Sequence, residues 1–152
     1  MTKETLAEKN ESPQSGFKQN KERLTIMTCA NADGACLLVV IGESAKPRAL
    51  KNIMKSLPVY YTNQKSTWMN SAIFSKWFFD TFVSEVTKYL KNKYLPIKAV
   101  LLVDNASCHP DDFVLKKGNI IAKFLPANTT SIIQPMNQGI IENLKRRYKL
   151  LF

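Results

Sequence analysis

Residues 97–104 have the sequence IKAVLLVD, and this stretch decides the class of fold that the chain can adopt. The apolar run AVLLV is typical of a strand that is buried on both faces, and it ends in an acid, Asp104. Binding sites in open α/β sheets lie at the carboxyl ends of strands, which favours a site role for this carboxylate. The letters DNAS are equally good turn chemistry, so position alone leaves Asp104 as a site residue or a turn residue.

The segments around this strand predict a mixed α/β sheet. Downstream, residues 119–126 (NIIAKFLP) form a second strand. Upstream, RLTIMTCA and CLLVVIG are joined by NADG, whose residues tolerate left-handed backbone angles, and this pattern predicts a hairpin over about residues 23–41. Residues 43–58, ESAKPRALKNIMKSLP, are basic and interrupted by proline, and they predict a loop. The order of hairpin, helix, strand, strand and helix favours an α/β fold.

Two segments have the apolar spacing of helices. The first begins at Asn70 or Ser71, either of which can cap it, and runs to about residue 93. Its aromatic residues could form a stacking platform for bases, but their position on one stripe of a long helix favours the core. The second runs from about Gln138 to the end. We expect one face of it to pack on the sheet: Ile140, Ile141, Leu144, Tyr148 and Leu151.

The charge balance points to polyanionic partners. The chain has 152 residues, enough for one domain, and carries 22 Lys and Arg against 12 Asp and Glu, a net charge of +10. Nucleic acid is the first expectation and an anionic membrane surface the second. A basic cluster on the last helix can contact phosphates without reading sequence, although a solvated helix face explains it equally well. The cluster comprises Lys145, Arg146, Arg147 and Lys149.

Other features of the composition exclude several classes. Residues 1–21 are polar and predict an extended or disordered lead before a domain over residues 22–152. The apolar runs are too short to span a bilayer. Cys29, Cys36 and Cys108 form no CxxC pair, so we expect reduced thiols in the cytosol or nucleus and no zinc site. The lone His109 beside the strand end is expected to be a hydrogen-bonded loop residue.

Five blocks in order resemble the DDE endonuclease domain of pogo/Tigger-type transposases, whose domesticated relatives include the Jerky-like proteins and centromere protein B. The blocks are TCANADGACLLVVIGESAKPRA, LPVYYTNQKSTWM, IFSKWFFDTFVSEVTKYL, LLVDNASCHP and FLPANTTSIIQPMNQGIIENLKRRY. The resemblance covers about residues 5–150. It implies a ribonuclease-H-like fold, a mixed sheet with flanking helices.

The resemblance also implies a site. In active members three acids hold two divalent ions, Mg²⁺ above all, because that ion prefers hard anionic oxygen ligands. The second acid falls on Asp104, in the pattern LLxDNAxxH. The third falls in the QPMxQG loop at position 137, where this chain has Asn137, a neutral residue. The first acid belongs to a central strand that precedes anything present here, so any metal binding by Asp104 is expected to be weak or vestigial, and no cofactor is expected.

These inferences define one expected function and two alternatives. The expected protein is a nuclear, transposase-derived DDE domain that lacks the first, central strand, is not an enzyme, and binds DNA weakly without sequence preference. The open sheet edges would favour self-association, and no membrane partner is expected. The first alternative is an active metal-dependent endonuclease whose missing strand is supplied elsewhere. The second is a non-functional remnant or a protein-interaction module.

Overall fold

The computed structural model describes residues 23–111 and 114–151, so the predicted lead over residues 1–21 lies outside the described residues. A π-helical turn, Phe78–Phe82, joins α1 to α2, and 3₁₀ turns occupy Arg48–Leu50, Met54–Ser56 and Pro135–Asn137. The strands and α-helices, in chain order, are β1 (Thr25–Ala30), β2 (Cys36–Gly42), β3 (Tyr60–Asn63), α1 (Ser71–Trp77), α2 (Val83–Asn92), β4 (Ala99–Val103), β5 (Lys116–Lys117), β6 (Ile120–Phe124), α3 (Thr130–Ile133) and α4 (Ile140–Leu151).

The described strands form two three-stranded mixed sheets. In the first, with the order β1-β2-β3, β1 is antiparallel to β2 and β3 is parallel to it. In the second, with the order β4-β6-β5, β4 and β6 are parallel and β5 is antiparallel to β6. The mixed α/β prediction is therefore confirmed. Strands β1 and β4 are each the outer strand of their sheet.

The predicted hairpin is confirmed, and the NADG turn explains its register. The amide of Gly34 donates to the carbonyl of Asn31 at 3.1 Å, and the amide of Ala35 donates to the Asn31 side chain at 2.9 Å. Gly34 has a φ of +83°, a conformation that side chains with a Cβ rarely adopt. These contacts pair Thr25 with Ile41 at one end of the hairpin and Ala30 with Cys36 at the other.

The long helical segment forms the centre of the core. The side chain of Asn70 accepts a hydrogen bond from the Ile73 amide at 2.9 Å, which confirms the predicted cap. The π turn arises where the amide of Val83 donates to the carbonyl of Phe78, five residues earlier. The aromatic stripe is buried, as the core interpretation predicted, with exposures between 0% and 5% for Phe74, Trp77, Phe78 and Phe82. One cluster joins these rings to β2, β4 and β6, so both sheets pack on the same helical segment.

Three features differ from the predictions. The segment Tyr60–Asn63 forms β3, which the periodicity did not indicate. The segment predicted as a loop over residues 43–58 contains two 3₁₀ turns. The apolar face of α4 does not pack on a sheet as expected: Ile140, Leu144 and Tyr148 are 50%, 39% and 54% exposed. Helical spacing identified the apolar face, but the main neighbour of α4 is the 3₁₀ turn just before it.

Candidate functional site

Asp104 lies immediately after β4, where it begins a turn. It also faces the imidazole ring of His109. Its carboxylate accepts from the amide of Ala106 at 3.3 Å. Its backbone carbonyl lies 2.9 Å from Nδ1 of His109, and its carboxylate lies 3.2 Å from the same nitrogen. Because a carbonyl oxygen only accepts, this contact places a hydrogen on Nδ1. The structure therefore shows Asp104 as a turn residue, and its role in a site stays a prediction.

His109 holds this loop against the core. Its side chain is 11% exposed, and its ring centroid lies 4.4 Å from that of Phe74 in α1 and 6.4 Å from that of Phe124 in β6. The prediction of a hydrogen-bonded loop histidine is confirmed. The side chain of Asn105 adds a second tie, because it donates to the carbonyl of Leu125 at 2.7 Å and so joins the ends of β4 and β6. Sequence reasoning missed the contribution of Asn105, whose only signal was its place in the DNAS turn.

Cys108 directly precedes His109, and its surroundings do not activate its thiol as a nucleophile. Partial burial, with a smaller contribution from the nearby Asp104 carboxylate, raises the pKa of its thiol. A raised pKa favours the protonated thiol, whereas the thiolate is the reactive form. The thiol is therefore expected to stay neutral at physiological pH.

The loop that precedes α4 is held by its own amide side chains. Asn137 ends the 3₁₀ turn, and its Nδ2 donates to Oε1 of Gln134 at 2.8 Å. Gln138 donates to the carbonyls of Ser131 and Ile132 at 2.9 and 3.0 Å. The side chain of Asn137 is exposed. This loop therefore presents a neutral amide at its tip, already engaged with a neighbouring amide.

A cavity brings the end of β4 and this loop together. It has a volume of about 850 Å³ and lies between β1 and β4, with the long helical segment as its floor. Asp104 and His109 line it together with Gln134, Pro135 and Met136 of the loop. The lining includes Met136 on one side of Asn137 and Ile141 of α4 on the other, but not Asn137 itself. The structure thus places the two sequence-predicted site positions at or next to one cavity.

The basic cluster lies apart from that cavity, on α4. All four side chains, Lys145, Arg146, Arg147 and Lys149, are exposed. Arg147 also donates through Nε to Oδ1 of Asn143 at 3.3 Å. Exposed cations on one helix can reach phosphate oxygens without large side-chain rearrangement. The geometry is compatible with the expected phosphate contacts.

Within residues 23–111 and 114–151, no group of three or more His, Cys, Asp or Glu side chains is placed to hold a metal ion. In the same part of the chain, no helix is long and apolar enough to cross a membrane.

Comparison with known proteins defines the family. The profile of the DDE superfamily endonuclease matches residues 21–151, so the chain belongs to that family. It is 41% identical to human Tigger transposable element-derived protein 7 over 142 residues, and 42% identical to the human Jerky protein homolog over 137 residues. Each of these matches covers 88% of this chain, but only 26% and 24% of the respective relative.

A third relative extends the match. The mouse Jerky protein is 38% identical over 151 residues, which is 94% of this chain and 26% of that protein. The chain therefore spans about a quarter of the length of these relatives. No solved structure matches it. The resemblance to the pogo/Tigger-type DDE domain is confirmed.

Proposed function

We propose that this chain is a transposase-derived DDE domain that binds DNA in the nucleus through sequence-independent phosphate contacts and does not cleave it. The exposed basic cluster on α4, in a chain with a net charge of +10, carries the proposal. Counterions released from the phosphate backbone supply the free energy of such binding, and no base contact is needed. Membership of the DDE superfamily supports DNA as the polyanion.

The same proposal states that this chain does not cleave DNA. A two-ion phosphodiester mechanism needs several anionic oxygen ligands around the ions. At the end of β4 this chain offers one carboxylate, Asp104, and at the third position of the family pattern it offers the amide of Asn137. These residues do not fit a pair of Mg²⁺ ions, so no catalytic step is derived through a metal, and Asp104 is proposed as a vestigial ligand.

We also propose that the two described sheets are parts of one ribonuclease-H-like sheet whose central strand is not among the described strands. Two separate sheets with β1 and β4 as outer strands, both lining one cavity, support this architecture. A strand placed between them would join the two sheets into one. The proposed division of the chain is a lead over residues 1–21 and a partial DDE domain over residues 22–152.

The position of the cavity supports one alternative function, an active endonuclease. If another polypeptide supplied a strand with a carboxylate, the cavity beside Asp104 would place that carboxylate close to the family's second acid. The domain would then be an active endonuclease. Asn137 argues against this alternative, because a neutral amide does not balance the charge of a divalent ion.

The proposed binding is tested by titrating duplex DNA at several salt concentrations. The logarithm of the binding constant should fall with the logarithm of salt concentration, with a slope of about −0.9 for each phosphate contact. Replacing all four residues of the α4 cluster by glutamine should weaken binding to every sequence alike. It should also make the slope shallower, by up to about 3.6 if each residue contacts one phosphate.

A matched variant separates the cluster from the net charge. It removes four other exposed cations, so that the total charge changes equally: Lys46, Arg48, Lys51 and Lys65. We expect this variant to keep most of the affinity. Equal losses in the two variants would contradict the assignment to α4, and binding that does not change with salt would contradict phosphate contacts altogether.

A further inference from the structure

We propose that Trp68 and Arg23 form a second DNA contact, which holds an unpaired base of a single strand by stacking. This site rests on the DNA binding proposed for the chain and adds to it a further form of the ligand. Three observations carry the proposal: an exposed indole, a guanidinium over one face of that indole, and a loop whose hydrogen bonds fix the backbone beneath it. Stacking of bases on aromatic side chains is a general means of holding single-stranded nucleic acid.

The indole of Trp68 lies at the surface instead of in the core. It is 60% exposed, whereas Trp77 is 1% exposed. Among the described residues, the core cluster and the apolar side chains packed against it do not include Trp68. Tryptophan is highly buried on average in folded proteins. Core packing therefore does not account for this ring, and its open surface is available to a ligand.

A cation covers part of this ring. Cζ of Arg23 lies 5.2 Å from the centroid of the Trp68 ring, within the range of a cation–π contact. Arg23 is itself exposed, so its guanidinium remains open to a phosphate oxygen. The pair thus combines a cation for the backbone of a nucleic acid with an aromatic surface for one of its bases.

The loop before Trp68 is held by the side chain of Gln64. Oε1 of Gln64 accepts from the amides of Ser66 at 2.9 Å and Trp68 at 3.3 Å, and also from the hydroxyl of Ser66. The backbone carbonyl of Gln64 accepts from the amide of Thr67 at 2.8 Å. Thr67 has a φ of +58° and is 3% exposed, so the loop is anchored just before the indole. A backbone fixed in advance loses little conformational entropy when a ligand binds.

Three segments meet at one edge of the first sheet and build the surroundings of the indole. Strands β2 and β3 are parallel, so the chain leaves both of them at the same edge, and β1, antiparallel to β2, begins there. The hydroxyl of Tyr61 donates to the carbonyl of Ser44 at 2.7 Å and joins the segment after β2 to β3. The contact of Arg23 with Trp68 joins the start of β1 to the segment after β3.

The charge at this edge selects an anionic ligand. Residues 23–24, 43–47 and 64–68 include three exposed cations, Arg23, Lys46 and Lys65, and one acid, Glu43. A nucleic acid strand complements both features, because its phosphates pair with cations and its bases stack on the ring. An anionic membrane would need a broad apolar face, whereas the residues just before Trp68 are polar.

The stacking surface selects unpaired DNA over duplex. Bases inside a duplex are already stacked on both faces, and extruding one of them costs a few kcal/mol. A single strand has open bases and does not meet that cost. Duplex binding through α4 therefore does not depend on Trp68, and a variant that lacks Lys46 and Lys65 should still bind duplex.

The test follows the tryptophan fluorescence of the full chain during titration with a single strand of about eight deoxythymidines, within the usual site sizes for unpaired DNA. Stacking on Trp68 should quench its emission until the site is saturated. The first control is an abasic strand of equal length, which keeps the phosphates and should bind without comparable quenching. The second is a relaxed, covalently closed duplex circle, which should bind through α4 and leave the emission unchanged.

Substitutions then assign the site. Trp68→Ala should weaken binding of the single strand about tenfold, within the range for the loss of one base stack, and Trp68→Phe should retain most of the affinity. Tyr94→Ala is the matched control, because Tyr94 is 97% exposed but follows α2, beyond the far end of the long helical segment. Duplex affinity should be the same in all three variants.

The outcomes separate this site from the α4 cluster. Equal quenching by the intact and abasic strands, quenching by the duplex circle, or equal losses for Trp68→Ala and Tyr94→Ala would each overturn the proposal. A blue shift with anionic lipid vesicles, without quenching by the single strand, would replace DNA by a membrane as the ligand. If glutamine at all four α4 positions left duplex binding intact while the single strand still quenched Trp68, the α4 assignment would fail and this site would stand.

Discussion

Replacement of His109 by alanine is expected to cost about 2–4 kcal/mol of stability, because three contributions are lost together. The Nδ1 contact to the Asp104 carbonyl, at 2.9 Å, is worth about 0.5–1.5 kcal/mol. The ring contact with Phe74, at 4.4 Å between centroids, is worth about 0.5–1.5 kcal/mol. Burial of the carbon atoms of a ring that is 11% exposed adds about 1 kcal/mol.

Urea unfolding measures this loss, with His109→Phe as the control. Phenylalanine keeps the packing against Phe74 but cannot donate to the carbonyl of Asp104, so it should cost only about 1 kcal/mol. For a domain of this size, a loss of 3 kcal/mol lowers the melting temperature by about 9 °C. DNA affinity under native conditions should not change, because the basic cluster lies on α4. A loss below about 0.5 kcal/mol for the alanine variant, which is within the range of ordinary surface substitutions, would refute the reasoning. Equal losses in both variants would show that the ring contact contributes nothing.

The purified chain is expected not to cleave duplex DNA in Mg²⁺ or Mn²⁺. Asn137→Asp alone should not restore cleavage, and nicking that Asp104→Ala abolishes would contradict this. The chain by itself is expected to melt over a broad range and to self-associate as concentration rises in sedimentation experiments. A sharp, monomeric melt would show that its sheet edges are closed in another way. Burial, with a smaller effect from Cys36, raises the pKa of the Cys29 thiol from 9.0 to about 11. The neutral thiol therefore contributes stability that is full below pH 9 and is lost as pH rises through about 11. Mass spectrometry should show slow alkylation of folded Cys29 at pH 8 and fast alkylation of Cys36, which is exposed. Equal rates would contradict the assigned burial.

Local signals account for what the sequence predicted correctly. The NADG turn determines the hairpin by itself, since Asn31 and Gly34 supply its hydrogen bonds and its left-handed angle. Asn70 and the apolar spacing behind it determine the start and the buried face of the long helical segment. The run AVLLV is continuously apolar, IIAKF is apolar apart from Lys123, and both are strands. The expected burial of AVLLV on both faces is wrong, because Val100 and Leu102 are 52% and 59% exposed. Each of these features is decided by residues within one or two turns of the chain.

Features that depend on distant partners could not be predicted in this way. Strand β3 is short, and it exists because it pairs with β2, whose residues lie about twenty positions earlier. The role of His109 depends on Phe74, which is 35 positions away and belongs to another element. The apolar face of α4 was identified correctly, but periodicity does not specify which surface a helix covers. For the same reason, the pattern LLxDNAxxH placed Asp104 at a strand end but did not show that the ring of His109 holds the following loop against Phe74.

The neutral residue at position 137 and the open cavity impose separate limits on the chemistry of this domain. An uncharged strand between β1 and β4 would pair with the outer edges of both, but it would add no charge beside Asp104. Asn137→Asp would add one carboxylate, but it would supply no strand partner to the outer edges that β1 and β4 have among the described strands. Binding of two divalent ions needs both an additional carboxylate and a strand that holds the site in place beside Asp104. Neither change alone is therefore expected to give cleavage. DNA binding through α4 needs neither of them, since it draws only on exposed cations. The proposed binding activity therefore does not depend on the two-ion chemistry of the family.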